Sequence, residues 1–336
     1  MINRQEGDKL PVSAFVGMED GTHPMGTARF EKRGIAVNVP EWQTDTCIQC
    51  NQCAYACPHA VIRPFLLNEE EVKNAPEGFA SKKATGRGLE GLNFRIQMSI
   101  MDCTGCGVCE NVCPTKQKSL VMKPIASQTD QIAHWDYALK LSPKANPMNV
   151  TTIKGSQFEQ PLMEFSGACA GCGETPYARL VTQLFGDRMI LAQATGCSSI
   201  WGGSSPSTPY CANKDVHGPA WANSLFEDNA EFGLGMHLAV KSTRAKLAAV
   251  MNKALEMEFS PELKAAFTLW LENPENADET RKAKDEILAL IEKYEPKNAD
   301  EKTVLDEILE MKEYIVKKSQ WIFGGDGWAY DIGFGG

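Results

Sequence analysis

Two cysteine runs of identical spacing constrain this chain more than anything else in it: Cys47-x2-Cys50-x2-Cys53-x3-Cys57-Pro58 and Cys103-x2-Cys106-x2-Cys109-x3-Cys113-Pro114. Each run is closed by Cys-Pro and followed by a short apolar stretch and a later proline, so residues 47–64 and 103–124 form an internal repeat. A polar stretch from Asn68 to Leu92, punctuated by Gly78, Gly86, Gly88 and Gly91, separates the copies and reads as an exposed insertion. The chain has twelve cysteines, and Met1 to Leu10 is charged and polar, with no secretory signal. In a reducing compartment thiols in such numbers point to metal or cluster ligation and not to disulfides.

The spacing selects the chemistry. Two intervening residues let three thiolates wrap one 4Fe–4S cubane while backbone amides point at its sulfurs, and the fourth cysteine, one helical turn on, reaches the cubane of the other repeat. The expected ligand sets are therefore Cys47, Cys50, Cys53 and Cys113 for one cluster, and Cys57, Cys103, Cys106 and Cys109 for the other. A pair of zinc sites is the alternative, but tetrahedral zinc takes its cysteines as two pairs, whereas each run here supplies four with a terminal proline. Gly105 and Gly107 suit close backbone approach to a cluster; the first copy has Gln49, Asn51 and Gln52 instead, so the two potentials need not be equal. Two clusters in one small domain make an electron relay, which requires a source and a sink elsewhere.

With 336 residues the chain is long enough for two domains. The formal net charge of -9 argues against nucleic acid or anionic membranes as partners, no apolar run is long enough to span a bilayer, and a cytoplasmic location is expected. The expected organisation is a lead-in segment (1–40), an α+β ferredoxin-like two-cluster domain (41–130), a polar linker (131–160) and a partial α/β domain (161–336). In the last, Pro176 to Phe185 is apolar at helical spacing and Met189 to Ala194 reads as a strand. Gly233 to Lys318 reads as several amphipathic helices broken at Ser260-Pro261, Asn273-Pro274 and Glu295 to Asn298, with Asn298 or Asp300 capping the last. Trp321 to Phe323 then forms a short apolar strand running into Gly324-Gly325-Asp326-Gly327, and the stop at Gly336 within a glycine-rich loop is expected of a fragment of a longer protein. His23, His59, His134, His217 and His237 have no ligand-like spacing and are read as structural or exposed, and the mixed charges from Glu275 to Lys318 as solvated helix surface.

Four stretches carry a resemblance: Phe165 to Tyr177 with its Cys169-Ala170-Gly171-Cys172-Gly173-Glu174; Ala194 to Gly203 with Gly196-Cys197-Ser198-Ser199; Gly218 to Gly233; and Gly325 to Gly333 with Gly325-Asp326-Gly327-Trp328. Together and in this order they resemble pyruvate:ferredoxin (flavodoxin) oxidoreductase, in whose single-chain form a two-cluster ferredoxin domain precedes the thiamine-diphosphate domain. The resemblance implies that Cys169, Cys172 and Cys197 are three of four ligands of a third 4Fe–4S cluster, the fourth lying beyond residue 336; Cys211 is the one spare thiol and does not correspond to it. It implies that Glu174 and Cys197 contact thiamine diphosphate, that Asp326 is the first Mg2+ ligand, and that Gly325, Gly327 and Trp328 surround the diphosphate. A carboxylate at the end of an apolar strand, flanked by glycines, suits that role. The implied reaction is oxidative decarboxylation of pyruvate with CoA to acetyl-CoA and CO2, the electrons passing singly to ferredoxin or flavodoxin, in a cytoplasmic homodimer when complete; the fragment alone is expected to be inactive. The rival is an electron-transfer module without thiamine chemistry of its own.

Overall fold

The computed structural model describes residues 4–19, 21–204, 207–325 and 327–329. The chain divides into two units, one comprising Met1–Asp187 with Cys197–Pro219 and the other Arg188–Gly196 with Ala220–Gly336.

In the first unit the cysteine repeat becomes two interlocked strand–loop–helix–strand halves. The first half runs through β1 (Asn38–Trp42), α1 (Gln52–Ala56) and β2 (Ile62–Leu67). The insertion contributes α2 (Glu69–Lys73) and β3 (Lys82–Lys83). The second half is β4 (Asn93–Met98), α3 (Val108–Asn111) and β5 (Leu120–Pro124). β1 pairs antiparallel with β5, Trp42 opposite Leu120, and β2 pairs antiparallel with β4, Ile62 opposite Met98. The strand entering each cysteine loop is thus bonded to the strand leaving the other, which gives the unit its pseudo-twofold arrangement.

β4 is buried along its whole length. Phe94, Ile96 and Met98 point to the core shared with Val39 and Leu120, while Arg95 and Gln97 point to the opposite face, where Gln97 Nε2 donates to Gln131 Oε1 at 2.9 Å. Gln131 lies on α4 (Asp130–Ala138), which buries Trp135 against Phe65, ring centroids 6.2 Å apart. Segment 131–160, read as a linker, is therefore built into this unit: α4 covers β4, and α5 (Ile153–Ser156) packs against α1. Four of its polar residues, Gln131, His134, Ser156 and Gln157, are buried and hydrogen-bonded, which polarity alone does not reveal. The lead-in is also built in, with Gly26 N–H donating to the Tyr210 carbonyl at 2.6 Å and Gly34 N–H to that of Met101 at 2.9 Å. α6 (Thr175–Phe185) and the single turn α7 (Cys197–Ser199) also belong to this unit.

The second unit has a parallel sheet of order β7-β6-β8, from β6 (Met189–Gln193), β7 (Ala220–Asn223) and β8 (Ser319–Phe323), with Leu191 of the central strand opposite Trp221 and Trp321. Between β7 and β8 run α8 (Asn229–Glu256), α9 (Pro261–Glu272), α10 (Ala277–Lys293) and α11 (Ala299–Glu310). Leu247, Met251, Leu263, Phe267, Trp270, Ile287 and Ile308 fill the helical core. Ser260, Asn276 and Asn298 cap the last three helices, Asn298 Oδ1 accepting from Glu301 N–H at 2.8 Å. No helix among the described residues is long and apolar enough to cross a membrane.

One carboxylate ties the insertion to the segment after α4. Glu71 completes a capping box with Asn68 on α2 and receives the Lys144 ammonium at 2.8 Å and the Ser142 hydroxyl at 2.6 Å. Burial works to raise its pKa, but these donors overcome burial and hold it at about 2. A depressed carboxylate contributes stability above its unfolded pKa of about 4.3, lost as pH falls towards 2. Glu71→Gln is expected to cost about 1–2 kcal/mol at pH 7 and to be neutral near pH 2, as read from denaturant midpoints across that range.

Candidate metal centres

The two cysteine loops share one backbone path. Gln49 and Asn51 have φ of 59° and 61°; Gly105 and Gly107, their counterparts, have 71° and 74°. Left-handed backbone turns the loop so that N–H groups face sulfur: Gln49 N–H donates to Cys47 Sγ and Gly105 N–H to Cys103 Sγ, both at 3.4 Å. Glycine adopts this conformation without penalty, whereas a side chain costs about 1 kcal/mol or more. Bonds to distant parts of the unit offset that cost. The buried Gln49 amide donates to the Lys83 carbonyl at 2.7 Å and accepts from Thr85 N–H at 2.9 Å, and Asn51 Nδ2 donates to the Lys154 carbonyl at 3.0 Å. Gly105 has no room for a side chain, since a Cβ there would lie 3.1 Å from the Asn38 carbonyl oxygen and 3.3 Å from Ala36 Cβ.

The thiols ring two cavities. Cys47, Cys50, Cys53 and Cys113 line one, and Cys57, Cys103, Cys106 and Cys109 line the other. The final cysteine of each run therefore sits with the first three of the other. α1 makes this possible: Cys53 within it faces the first cavity, and Cys57 at its C-cap faces the second. Four thiols converging on each cavity, three from one x2-x2-x3 run and one from the other, suit a polynuclear group better than one tetrahedral ion.

Burial raises the Cys53 thiol, and the neighbouring Cys47 and Cys50 push it further in the same direction. Burial likewise raises Cys109 and pushes Cys103 up to about 12, against the Gly105 N–H bond. Cys113 differs: burial acts upward, but the Thr115 hydroxyl at 3.1 Å and Ser119 N–H at 3.3 Å bring it down to about 7. Several residues that line the cavities carry a buried polar atom with no hydrogen-bond partner: Trp42 Nε1 and Asn51 Oδ1 at the first, His59 Nε2 and Thr104 Oγ1 at the second. Indole N–H and hydroxyl are donors carried on residues that line a space ringed by sulfur, and a sulfide-bearing group would offer them acceptors. Cations stand nearby. Lys82 Nζ donates to the Thr44 and Cys47 carbonyls at 2.7 and 3.1 Å, and Lys154, its pKa lowered by burial, is held partly up by Cys50 and Cys47.

The remaining predicted residues are divided between the two units. Cys169 and Cys172 share a turn, Cys172 N–H donating to the Cys169 carbonyl at 3.0 Å. That turn lies on the second cysteine loop, for a Cβ on Gly171 would be 3.7 Å from Cys106 Cβ and 3.9 Å from Val108 Cγ2. Cys169 and Cys197 are exposed and Cys172 half-buried. Glu174 is the N-cap residue of α6 and half-buried. Gly325, Gly327 and Trp328 follow β8 in the second unit, and Asp326 lies outside the described residues. Cys211 is buried against the Pro161 carbonyl at 3.6 Å, its pKa pushed up to about 12 by burial. His59 is buried with Nδ1 3.1 Å from the Ser166 carbonyl oxygen. Thr115, Ser119, Lys82 and Lys154 escape sequence reasoning because none belongs to the cysteine pattern; only chain reversal after each Cys-Pro brings them near sulfur.

A family described as a 4Fe-4S dicluster domain matches residues 46–117, and one described as a domain of unknown function matches residues 1–36. Over its full length the chain is 57% identical to the pyruvate-flavodoxin oxidoreductases of Enterobacter agglomerans and Klebsiella pneumoniae, and 55% identical to the pyruvate:ferredoxin oxidoreductase of Moorella thermoacetica. It spans 28–29% of the length of these curated relatives, so what it matches is one segment of each.

The crowding at Gly105 gives a direct check on the loop. Gly105→Ala is expected to cost about 1–3 kcal/mol. Gly91→Ala, at φ 81° but with nothing within 4 Å, should cost about 1 kcal/mol. Anaerobic denaturant titrations of the two variants measure the difference.

Proposed function

We propose that this chain is the electron-relay and cofactor-adjoining segment of a pyruvate:flavodoxin or pyruvate:ferredoxin oxidoreductase, and that its two thiol-lined cavities hold 4Fe–4S clusters. The observation that carries the reading is the exchange of Cys57 and Cys113 between the two loops, which puts four thiols around each cavity. The unpartnered donors Trp42 Nε1 and Thr104 Oγ1 add to the fit. Cys47, Cys50, Cys53 and Cys113 ligate the first cluster; Cys57, Cys103, Cys106 and Cys109 the second. Cys169, Cys172 and Cys197 supply three ligands to a third, with the fourth from outside these residues.

Thiamine diphosphate, when bound, supplies the electron sink that lets CO2 leave a 2-oxo acid. Towards it this chain contributes Glu174 and Cys197 as contacts, Asp326 as a Mg2+ ligand, and Gly325, Gly327 and Trp328 around the diphosphate. Pyruvate, CoA and a ferredoxin or flavodoxin acceptor are the partners of the complete protein, a cytoplasmic homodimer. The contact of the Cys169–Cys172 turn with Cys106 and Val108 supports a relay from the third site to the second cavity, then to the first. Within that relay the protein's work is to hold sulfur, direct N–H groups and hydroxyls at it, and limit water: Cys57, Cys103, Cys109 and Cys113 are buried.

Anaerobic reconstitution with iron and sulfide tests the reading. The chain should take up about eight irons for two complete clusters. Cys57→Ser should abolish the same electron paramagnetic resonance signal as Cys106→Ser, and Cys113→Ser the same signal as Cys50→Ser. Pairing of Cys57→Ser with Cys50→Ser instead, or uptake of about two metal ions, would overturn it.

A further inference from the structure

α6 turns an unexpected face inward. Thr175, Ala178, Arg179, Thr182 and Gln183 are its buried positions, whereas Tyr177 is 72% exposed. Arg179 itself is 2% exposed. Its Nη1 donates to Gln157 Oε1 at 2.7 Å and Gln183 Oε1 at 2.8 Å, and its Nη2 to the Tyr55 carbonyl of α1. All three acceptors are neutral, Nε has no partner, and no carboxylate pairs with this guanidinium among the described residues. The neighbouring Arg63 adds a second positive charge, but Arg63 has Glu164 as its own partner.

A guanidinium stays protonated in a protein, and burying one without a counter-charge costs several kcal/mol. Neutral oxygens satisfy the donors without cancelling the charge. Two groups able to carry negative charge act on it, Cys57 more strongly than the Tyr55 phenol, and Cys57 is the C-cap residue of α1, two residues beyond the carbonyl that Nη2 holds. As a cluster ligand Cys57 would be a thiolate, and a 4Fe–4S cluster with four thiolates is net negative and becomes more so on reduction. Resting on the proposed reading of the second cavity, we infer that Arg179 is the buried counter-cation of the cluster held by Cys57, Cys103, Cys106 and Cys109, and that it sets this cluster's potential above what the cavity alone would give. The electron taken up comes from whatever reduces the cluster, dithionite in the experiment below, and leaves to the next acceptor; Arg179 exchanges no proton in the step. Its role is positioning and electrostatic, with no contact to substrate.

A purely structural Arg179 would link α6, α1 and Gln157 without affecting potential, so potential is the decisive readout. The full chain, reconstituted anaerobically, is titrated with dithionite while both cluster signals are followed by electron paramagnetic resonance. Arg179→Met should lower the reduction equilibrium constant of the Cys57-ligated cluster at least tenfold, 59 mV for one electron. Arg179→Lys should hold it within threefold of the parent, and the Cys113-ligated cluster should move less than the other in both. Gln183→Glu gives the near-isosteric control: a carboxylate where Nη1 now meets an amide supplies the missing charge inside the protein, and should lower the same potential about tenfold with the fold intact. If Arg179→Met does not fold, Gln183→Glu decides. Unchanged potential in Gln183→Glu, or equal shifts in Arg179→Met and Arg179→Lys, overturns the inference and leaves the cluster reading standing. Failure of the unsubstituted chain to assemble any cluster overturns the reading of the cavity and this inference with it.

Discussion

The first unit depends on the exchange of one cysteine between its two repeats. That exchange is a consequence of strand pairing: because β1 bonds to β5 and β2 to β4, each loop enters from one sheet and leaves into the other. The short helix that contains each third cysteine, α1 with five residues and α3 with four, carries the fourth across the pseudo-twofold axis, as α1 does between Cys53 and Cys57. Neither cavity can exist alone. Disturbing one strand pair moves ligands of both, so the unit's two halves gain or lose their cavities together.

The halves are related but not equal. In the second loop the left-handed positions are glycines, and the geometry needs no support. In the first they are Gln49 and Asn51, whose conformation is maintained by bonds to Lys83, Thr85 and the Lys154 carbonyl. The insertion and the 131–160 segment are therefore structural parts of the first cavity, although they supply no thiol. The thiols differ too. Cys113 accepts from the Ser119 N–H and has the Thr115 hydroxyl beside its sulfur, which together favour its thiolate, whereas Cys53, Cys103 and Cys109 are held towards the neutral form by burial.

What could be read from the sequence follows from how local each constraint is. Ligand spacing within a loop is local, so the cysteine runs, and the resemblance matched by similarity of this chain to one segment of pyruvate-flavodoxin oxidoreductases, were legible. Helices α8 to α11 were legible for a similar reason, since Ser-Pro and Asn caps mark their ends in sequence. Burial of polar residues is not local. Arg95, Gln97, Gln131 and His134 look like surface residues, yet they lie under 10% exposed because they bond one another between β4 and α4. The inward face of α6 was likewise not legible: its residues are apolar at helical spacing, yet Leu180, Val181 and Leu184 are only half-buried while Arg179 and Gln183 are buried.

Polar burial of this kind has a thermodynamic direction. A buried network whose members are all satisfied fixes one arrangement of the elements it joins, and one left partly unsatisfied is costly. Around the cavities the network is incomplete in the protein alone: Trp42 Nε1, Thr104 Oγ1 and His59 Nε2 are buried without partners. An acceptor-rich group in each cavity would satisfy the donors among them, and its binding energy would then be part of the folding energy of the unit. On this account the polypeptide is built to be completed by what it binds, and the strained first loop, the crossed cysteines and the unpartnered donors are three expressions of the same requirement.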